Sequence, residues 1–413
     1  MTSSASPPWR DDDVVIVSAA RTPIGRFGGA LANLSAAELG AAAARAALRR
    51  VRIGGTDRIE GQLSEVIMGC ARQAGGGPNV ARQIAHRSGV PHAVPAFTVN
   101  KACGSGLKAI ALAAQAIRAG EAGIMLAGGA ESMSRVPYYA EGARWGIKMG
   151  DAPLVDGMYR DGFLCPLCGQ LMGETAENLA DLHGISREEQ DRYAAMSQNR
   201  AEAARREGRF KDEIEPIEVM GRGGKLTRID ADEHPRDGVT PASLAALPPV
   251  FRPKGTVHAG NSSGITDGAA AVVLMRLDEA RRRGVAPMAR LRGCATAGVA
   301  PEVMGIGPVP AVRSLLAAQG LALEQVDLFE LNEAFAAQVL ACVKELGIDI
   351  ARLNVNGGAI ALGHPIGASG ARVVVTLLHE MARRGSRYGI ATLCISGGMG
   401  IAALLETPPS ASA

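Results

Sequence analysis

Asn100-Lys-Ala-Cys-Gly-Ser-Gly-Leu-Lys108 separates a strand-like run, Ala96-Phe-Thr-Val99, from the helical pattern Ala109-Ile-Ala-Leu-Ala-Ala-Gln-Ala-Ile117. A strand that feeds a helix through a glycine turn is the repeating unit of an α/β protein. Cys103 stands at the junction. A cysteine there lies near unpaired backbone N–H groups and the positive end of a helix. Both favour the thiolate, which is the nucleophilic form. Gly104 and Gly106 permit a sharp turn and a close approach of substrate to the backbone. A lone cysteine is more often a small buried hydrophobe, so other residues must join Cys103 to make a reactive site.

Working outward, Val14-Val-Ile-Val17 and Glu65-Val-Ile-Met68 read as strands. Ser35 with Glu38 forms a capping box for an alanine-rich helix that reaches about residue 50. Residues 79–87 read as a further helix, and Gly123-Ile-Met-Leu-Ala127 as a strand that stops at Gly128. This alternation predicts a largely parallel sheet with helices on both faces. From Ser134 to about His258 the alternation weakens and charge rises. An inserted subdomain is expected there, with helices over 175–181 and from Ser186, capped with Glu189, to Arg206. Its basic residues Arg222, Lys225, Arg228, Arg236, Arg252 and Lys254 are interleaved with acids. They read mostly as a solvated face, with one or two free to take a phosphate.

Alternation returns with the strand Ala270-Ala-Val-Val-Leu-Met275. After Arg290 the order of the first part recurs. A helix over 310–319 leads to a strand over 326–330 and Leu331-Asn-Glu-Ala-Phe335. Asn356-Gly-Gly then precedes the turn Gly363-His-Pro-Ile-Gly-Ala-Ser-Gly370, a helix over 371–383, the strand Gly389-Ile-Ala-Thr-Leu-Cys394 and Ser396-Gly-Gly-Met-Gly400. The recurrence reads as an internal duplication in which Cys103 and His364 hold equivalent junctions. Two helix starts facing one cleft suit an anionic group. The chain therefore divides into a first half over 1–133, an insertion over 134–258, completion of the first half over 259–286, and a second half over 287–413.

A chain of 413 residues with 47% hydrophobic and 21% charged content is globular and too long for one ordinary core. With only 3% aromatic residues and 52 glycines, its layers must pack closely through small side chains. The net charge of +3 argues against nucleic-acid or membrane partners. The seven cysteines lack the spacing of a disulfide framework, and reduced thiols in the cytoplasm are expected. Cys165-Pro-Leu-Cys168 has metal-ligand spacing without a second pair, so no metal is expected. Cys70, Cys294 and Cys342 read as packing residues. His86, His92, His183, His234 and His379 read as surface or structural.

Four residues carry chemistry together. His364 could take the proton of Cys103, the usual pairing that activates a thiol. Cys394 is a second, separate cysteine, useful where a carbon acid must exchange a proton near neutral pH. Asn332 could hold a water or donate to an oxyanion. From about Asp13 to Leu405 the sequence resembles the thiolase family, of the acetyl-CoA acetyltransferase kind. The matching motifs are residues 100–108, Gly128-Gly-Ala-Glu-Ser-Met-Ser134, Gly260-Asn-Ser-Ser-Gly-Ile-Thr-Asp-Gly-Ala-Ala270, Asn332-Glu-Ala-Phe335, 357–370 and Cys394-Ile-Ser-Gly-Gly-Met-Gly400.

The resemblance implies a duplicated αβαβα five-layer sandwich with an inserted loop domain for CoA binding and oligomerisation, assembled as a dimer or a dimer of dimers. It implies that two acetyl-CoA become acetoacetyl-CoA and CoA, or the reverse. A 3-ketoacyl-CoA thiolase of broader chain length is the alternative. Cys103 would be acylated, His364 would activate it, and Cys394 would move the α-proton. Asn332, through a water, and His364 would form one oxyanion hole, and the N–H groups of Cys103 and Ser396 the other. Ser263 would meet the pantetheine arm, Arg236 and Ser243 the nucleotide end, and Met172 and Leu171 the acyl chain. No cofactor is implied beyond coenzyme A as substrate and product.

Two positions depart from the family pattern. Ser396 replaces a glycine, which requires a backbone angle open to serine. Leu171 stands where short-chain members often carry histidine, which makes the acyl pocket more apolar. A decarboxylating ketosynthase would carry a second histidine near the position of Asn332. A carrier that has lost catalysis would not need Cys103, His364, Asn332 and Cys394 together.

Overall fold

A computed structural model of the chain describes residues 9–51, 59–221 and 224–408. Arg222, one of the basic residues singled out above, lies outside them, as do the first eight residues of the polar N-terminal tail. The first half of the sheet system comprises β1 (Val14–Arg21), β2 (Glu65–Gly69), β3 (Ala96–Val99), β4 (Ile124–Ser132) and β5 (Thr266–Arg276). They lie in the order β3-β2-β4-β5-β1. The second half comprises β6 (Ala289–Gly298), β7 (Leu328–Leu331), β8 (Tyr388–Ile395) and β9 (Met399–Glu406), in the order β7-β8-β9-β6. A single parallel bridge from Phe329 of β7 to Leu353 stands where the first half has β3. Counted within its own half, each set therefore runs third, second, fourth, fifth, first, which is the expected duplication. The two sets touch edge to edge where Val15 and Ile16 of β1 meet Arg290 and Ala289 of β6.

The sheets are mixed rather than largely parallel. Only the β2–β3, β2–β4 and β7–β8 pairs are parallel. The β4–β5, β5–β1, β8–β9 and β9–β6 pairs are antiparallel. The cause is local. β8 and β9 are joined by the tight turn at Ser396, Gly397 and Gly398, and a tight turn can join only antiparallel strands. In the first half the corresponding connection, from β4 to β5, carries the long insertion.

Around the strands stand α1 (Ala36–Arg50), α2 (Val80–Arg87), α3 (Ser105–Arg118), α4 (Met172–His183), α5 (Arg187–Arg206), α6 (Pro308–Gln319), α7 (Ala336–Leu346) and α8 (Ile366–Arg384). The capping boxes at Ser35 and Ser186 both form. Strand alternation sorts the core into layers. Val15 and Val17 of β1 face a cluster with α1 and α2, whereas Val14 and Ile16 face one with α3 and α8. The latter cluster also takes Leu393 of β8 and Ile401 of β9. The outer face of the second sheet packs on α6 and α7. The result is helix, sheet, helix, sheet, helix.

Two further differences from the sequence reading concern glycine. β4 runs on through Gly128 and Gly129 to Ser132 instead of stopping. A Cβ on Gly128 would lie 2.1 Å from the Ala270 carbonyl oxygen, and one on Gly129 2.2 Å from that of Gly367. These glycines admit neighbours and do not end the strand. Likewise α8 begins at Ile366, inside the stretch read as a turn, because Gly370 presses on the Leu107 amide nitrogen with 2.4 Å for any Cβ. Among the described residues no helix is long and apolar enough to cross a membrane.

Candidate active site

The turn that carries Cys103 is strained and heavily bonded. Ala102 has φ 44, uncommon for a residue other than glycine. Asn100 Oδ1 accepts the Ala102 N–H at 3.0 Å. Ser105 Oγ accepts the Lys101 N–H at 2.8 Å and donates to the Ala102 carbonyl at 2.7 Å. These bonds hold Cys103 at the start of α3, whose first turn has no side-chain cap. Cys103 is half-buried. Burial pushes its thiol up, while Arg72 and the backbone N–H groups of Ser396 and of Cys103 itself pull it down. Burial wins, so the resting state is the thiol and not the thiolate expected from the helix start alone. A base is therefore needed.

His364 sits just before α8. Its Nδ1 lies 2.6 Å from Ser369 Oγ, which itself donates to the Pro365 carbonyl at 3.0 Å. With the hydroxyl proton so used, Nδ1 must be the donor to Oγ, and Nε2 carries the free lone pair. Nε2 faces Asn332 Nδ2 at 3.5 Å, and Asn332 Oδ1 has no hydrogen bond to the described residues. Burial, then Arg372 and Arg72, hold the imidazole down to about 3. It is thus a neutral base across the physiological range.

Cys394 ends β8, with its thiol pushed well above its usual value by burial and then by the neighbouring Cys103 and Cys342. It packs in one apolar cluster with Met172 and Phe335. Ser396 is absent from the non-glycine residues with positive φ, and Gly397 (φ 87) and Gly398 (φ 83) take the left-handed positions instead. Serine therefore fits where the family has glycine, and its N–H still reaches Cys103. Cys103, Cys394 and Ser396 are thus brought together, as are His364 and Asn332.

The expected ligand-binding residues line two adjoining clefts. Leu171, Met172, Ser263 and Arg236, together with Phe335, line one of about 460 Å³. Ser243 and Arg236 line the other, of about 350 Å³. His234, set aside in the sequence as surface or structural, borders both and is held by the Ala361 carbonyl at 2.7 Å. A third cavity of about 470 Å³, between Phe210 and Asp232, includes none of these residues. Beyond His234, the sequence reading missed Ser369, Arg72 and Glu131. Glu131 lies within Gly128-Gly-Ala-Glu-Ser-Met-Ser134. Its buried carboxylate accepts N–H groups from Ala71 at 3.1 Å, Arg72 at 3.0 Å and Gly367 at 2.8 Å, and so ties β4 to the start of α8.

A cysteine and a histidine at twin helix starts, with a second cysteine near the end of the first strand of the last hairpin, define a thiolase-type acyltransferase. Residues 14–278 match the thiolase N-terminal domain and residues 285–407 the thiolase C-terminal domain, and the chain belongs to the thiolase family. It is 56% identical over 393 residues to the acetyl-CoA acetyltransferase of Pseudomonas aeruginosa, covering 95% of this chain and 99% of that one. It is 52% identical over 394 residues to the acetyl-CoA acetyltransferase of Cupriavidus necator, covering 95% and 99%. The crystal structure of the Bacillus anthracis acetyl-CoA acetyltransferase superposes with a TM-score of 0.92 at 44% identity, over 96% of this chain and 98% of that one. Human mitochondrial 3-ketoacyl-CoA thiolase does so with a TM-score of 0.92 at 43% identity, over 96% and 99%.

Proposed function

We propose that the protein is an acetyl-CoA C-acetyltransferase that works through an acyl-enzyme on Cys103. The observation that carries the reading is the meeting of two thiols, Cys103 and Cys394, with the Ser396 N–H at the first of them. In thiolysis, His364 Nε2 takes the Cys103 proton and the thiolate attacks the 3-keto carbon of acetoacetyl-CoA. The bond between C2 and C3 breaks, and the Cys394 thiol protonates the departing enolate carbon to give acetyl-CoA. Free CoA then gives its thiol proton to the Cys394 thiolate and attacks acetyl-Cys103. Cys103 leaves and recovers its proton from His364. Condensation is the reverse. The N–H groups of Cys103 and Ser396 stabilise one oxyanion, and His364 with a water on Asn332 the other.

Arg236 and Ser243 take the nucleotide end of CoA, Ser263 the pantetheine arm, and Met172 and Leu171 the acyl chain. Segment 134–258 serves as a loop domain for CoA binding and assembly into a dimer or a dimer of dimers, and the enzyme works in the cytoplasm. Apolar Leu171 in the larger cleft favours a second reading, turnover of longer 3-ketoacyl chains. Thiolysis rates over a series of chain lengths decide between the two.

The test of the mechanism separates the cysteines. Cys103→Ala should take up no acetyl group from acetyl-CoA in intact-protein mass spectra. Cys394→Ala should be acetylated but lose condensation by the upper part of about 10²–10⁴-fold or more, since it removes the thiol that carries the α-proton while leaving His364 to activate Cys103. It should also stop exchanging acetyl-CoA α-protons with solvent deuterium. Exchange at the wild-type rate in Cys394→Ala would assign the proton transfer to another residue.

A further inference from the structure

We propose that Glu333 is a positioning residue that sets the gap between Asn332 and His364, and so shapes the oxyanion hole for the enolate of the second acetyl-CoA. The inference rests on the acyltransferase reading above. In that reading the N–H groups of Cys103 and Ser396 serve the carbonyl attacked by Cys103. Asn332, through its water, and His364 are left for the enolate oxygen, and both must reach one atom. Asn332 Nδ2 and His364 Nε2 stand 3.5 Å apart, at the far limit of a hydrogen bond. Their spacing is therefore set by the segments that carry them.

Glu333 joins those two segments. It follows Asn332 directly and is 0% exposed. Its Oε1 accepts the Tyr193 hydroxyl at 2.8 Å and Asn354 Nδ2 at 2.9 Å. Its Oε2 accepts the Ser197 hydroxyl at 2.7 Å and the Ile360 N–H at 3.0 Å. Four donors around two oxygens is an arrangement that a carboxylate satisfies. Asn354, held at φ 45, also donates to the Leu331 carbonyl at 2.8 Å and accepts the Leu331 N–H at 2.9 Å. One amide thus grips the residues on either side of Asn332. Ile360 lies in the helical turn Ala359–Leu362 that leads to His364. The fit is close, since a Cβ on Gly358 would lie 2.3 Å from Glu333 Cδ. These bonds reach neither the Asn332 side chain nor His364, so Glu333 acts through the backbone that carries them.

Glutamine at 333 would keep the shape but turn one acceptor into a donor. The Tyr193 and Ser197 hydroxyls can rotate to accept from it, whereas Asn354 Nδ2 and the Ile360 N–H cannot. The Asn354 amide cannot flip, because the Leu331 N–H and carbonyl fix its two ends. Asn354 Nδ2 would still keep the Leu331 carbonyl, and the Ile360 N–H needs the remaining oxygen. The new NH₂ should therefore turn towards Asn354 and displace the Asn332 segment rather than the His364 segment.

The test compares two rates in one preparation: acetylation of Cys103 by acetyl-CoA, from intact-protein mass spectra, and exchange of acetyl-CoA α-protons with solvent deuterium. Glu333→Gln should slow exchange about 10²-fold, the scale for misplacing one oxyanion donor. Acetylation, which does not use Asn332, should slow far less. The split is a ratio, so any unfolded fraction cancels from it. In an Asn332→Ala background Glu333→Gln should add little to the loss of exchange. Asn354→Gly, which suits the positive φ and removes the grip on Leu331, should give the same split. Tyr193→Phe, which only loosens the tie to α5, should lower the urea midpoint without a split. Proportionate falls of both rates in Glu333→Gln and Asn354→Gly overturn the inference, as does full additivity with Asn332→Ala or an equal split in Tyr193→Phe. Failure of wild-type Cys103 to become acetylated by acetyl-CoA would instead overturn the acyltransferase reading.

Discussion

His364 owes its role to Ser369. The hydroxyl at 2.6 Å accepts the hydrogen bond from Nδ1–H, which fixes the proton there and leaves the Nε2 lone pair as the base. Ser369→Ala frees the ring to rotate and to change tautomer. Loss of one such hydrogen bond corresponds to roughly tenfold in acylation rate, with the apparent KM for acetyl-CoA little changed. The pH profile gives a second check. The imidazole, held down to about 3, does not titrate near its ordinary value. The acylation rate in the wild type should therefore show no step near pH 6.5 and should climb as the raised Cys103 thiol ionises. A step near 6.5 that vanishes in Ser369→Ala would place the proton on the wrong nitrogen. Cys103, His364 and Cys394 became candidates in the sequence because they stand in contiguous motifs with glycines close by, and Asn332 because it stands in Asn-Glu-Ala-Phe. Ser369 was spelled out in the same motif as His364, but its bond to that residue depends on a helical turn that had been read as a loop. Arg72 and Glu131 were silent because their partners lie on other strands and helices.

At the scale of elements, glycines set the distance between the two catalytic helices. Gly106 of α3 leaves 2.7 Å between a would-be Cβ and the Ala371 nitrogen, and Gly370 of α8 leaves 2.4 Å to the Leu107 nitrogen. Intrinsic propensity makes glycine a poor helix former, which is why 363–370 reads as a turn. Close packing overrides that preference. The same contest decides the outcome of Gly370→Ala. Alanine gains up to about 1 kcal/mol of helix propensity. The clash is with backbone, which no rotamer relieves, and overpacking typically costs about 1–3 kcal/mol. Net destabilisation should appear as a lower urea midpoint at unchanged m-value. Slower acetylation of Cys103 should accompany it, because α3 and α8 carry the two catalytic junctions. A midpoint at or above the wild type would show that the helices can separate freely. The sequence reading also passed over β6 and β9. Arg290 of β6 pairs with Glu406 of β9 at 2.6 Å across the antiparallel ladder, so the arginines at the start of β6 sit in a buried ion pair.

For the whole molecule, the duplication was legible but the attachment of the insertion was not. It is fixed by Arg21 at the end of β1, 0% exposed. Arg21 Nε donates to Glu213 Oε1 at 2.6 Å, and its Nη atoms donate to Asp232 at 2.7 Å and 2.9 Å. Thr376 of α8 donates to the same Glu213 oxygen at 3.2 Å. First half, insertion and second half therefore meet at one cation. Burial works against that charge, but Asp232 and Glu213 more than offset it and raise its proton affinity. Asp232→Asn removes half of the compensation without changing shape. An uncompensated buried charge of this kind costs about 3–5 kcal/mol. Loss of one exposed ion pair would cost at most about 1 kcal/mol. The larger figure applies because every partner is buried. Asp232→Asn should therefore lower the urea midpoint well beyond the loss seen on replacing a surface partner such as Asp278. The Arg21 cluster includes neither Cys103 nor His364 in its contacts, so acetylation of the folded fraction should proceed at the wild-type rate. An Asp232→Asn protein as stable as the wild type would mean that water or a rearranged Glu213 supports Arg21, and that the insertion is held by packing alone.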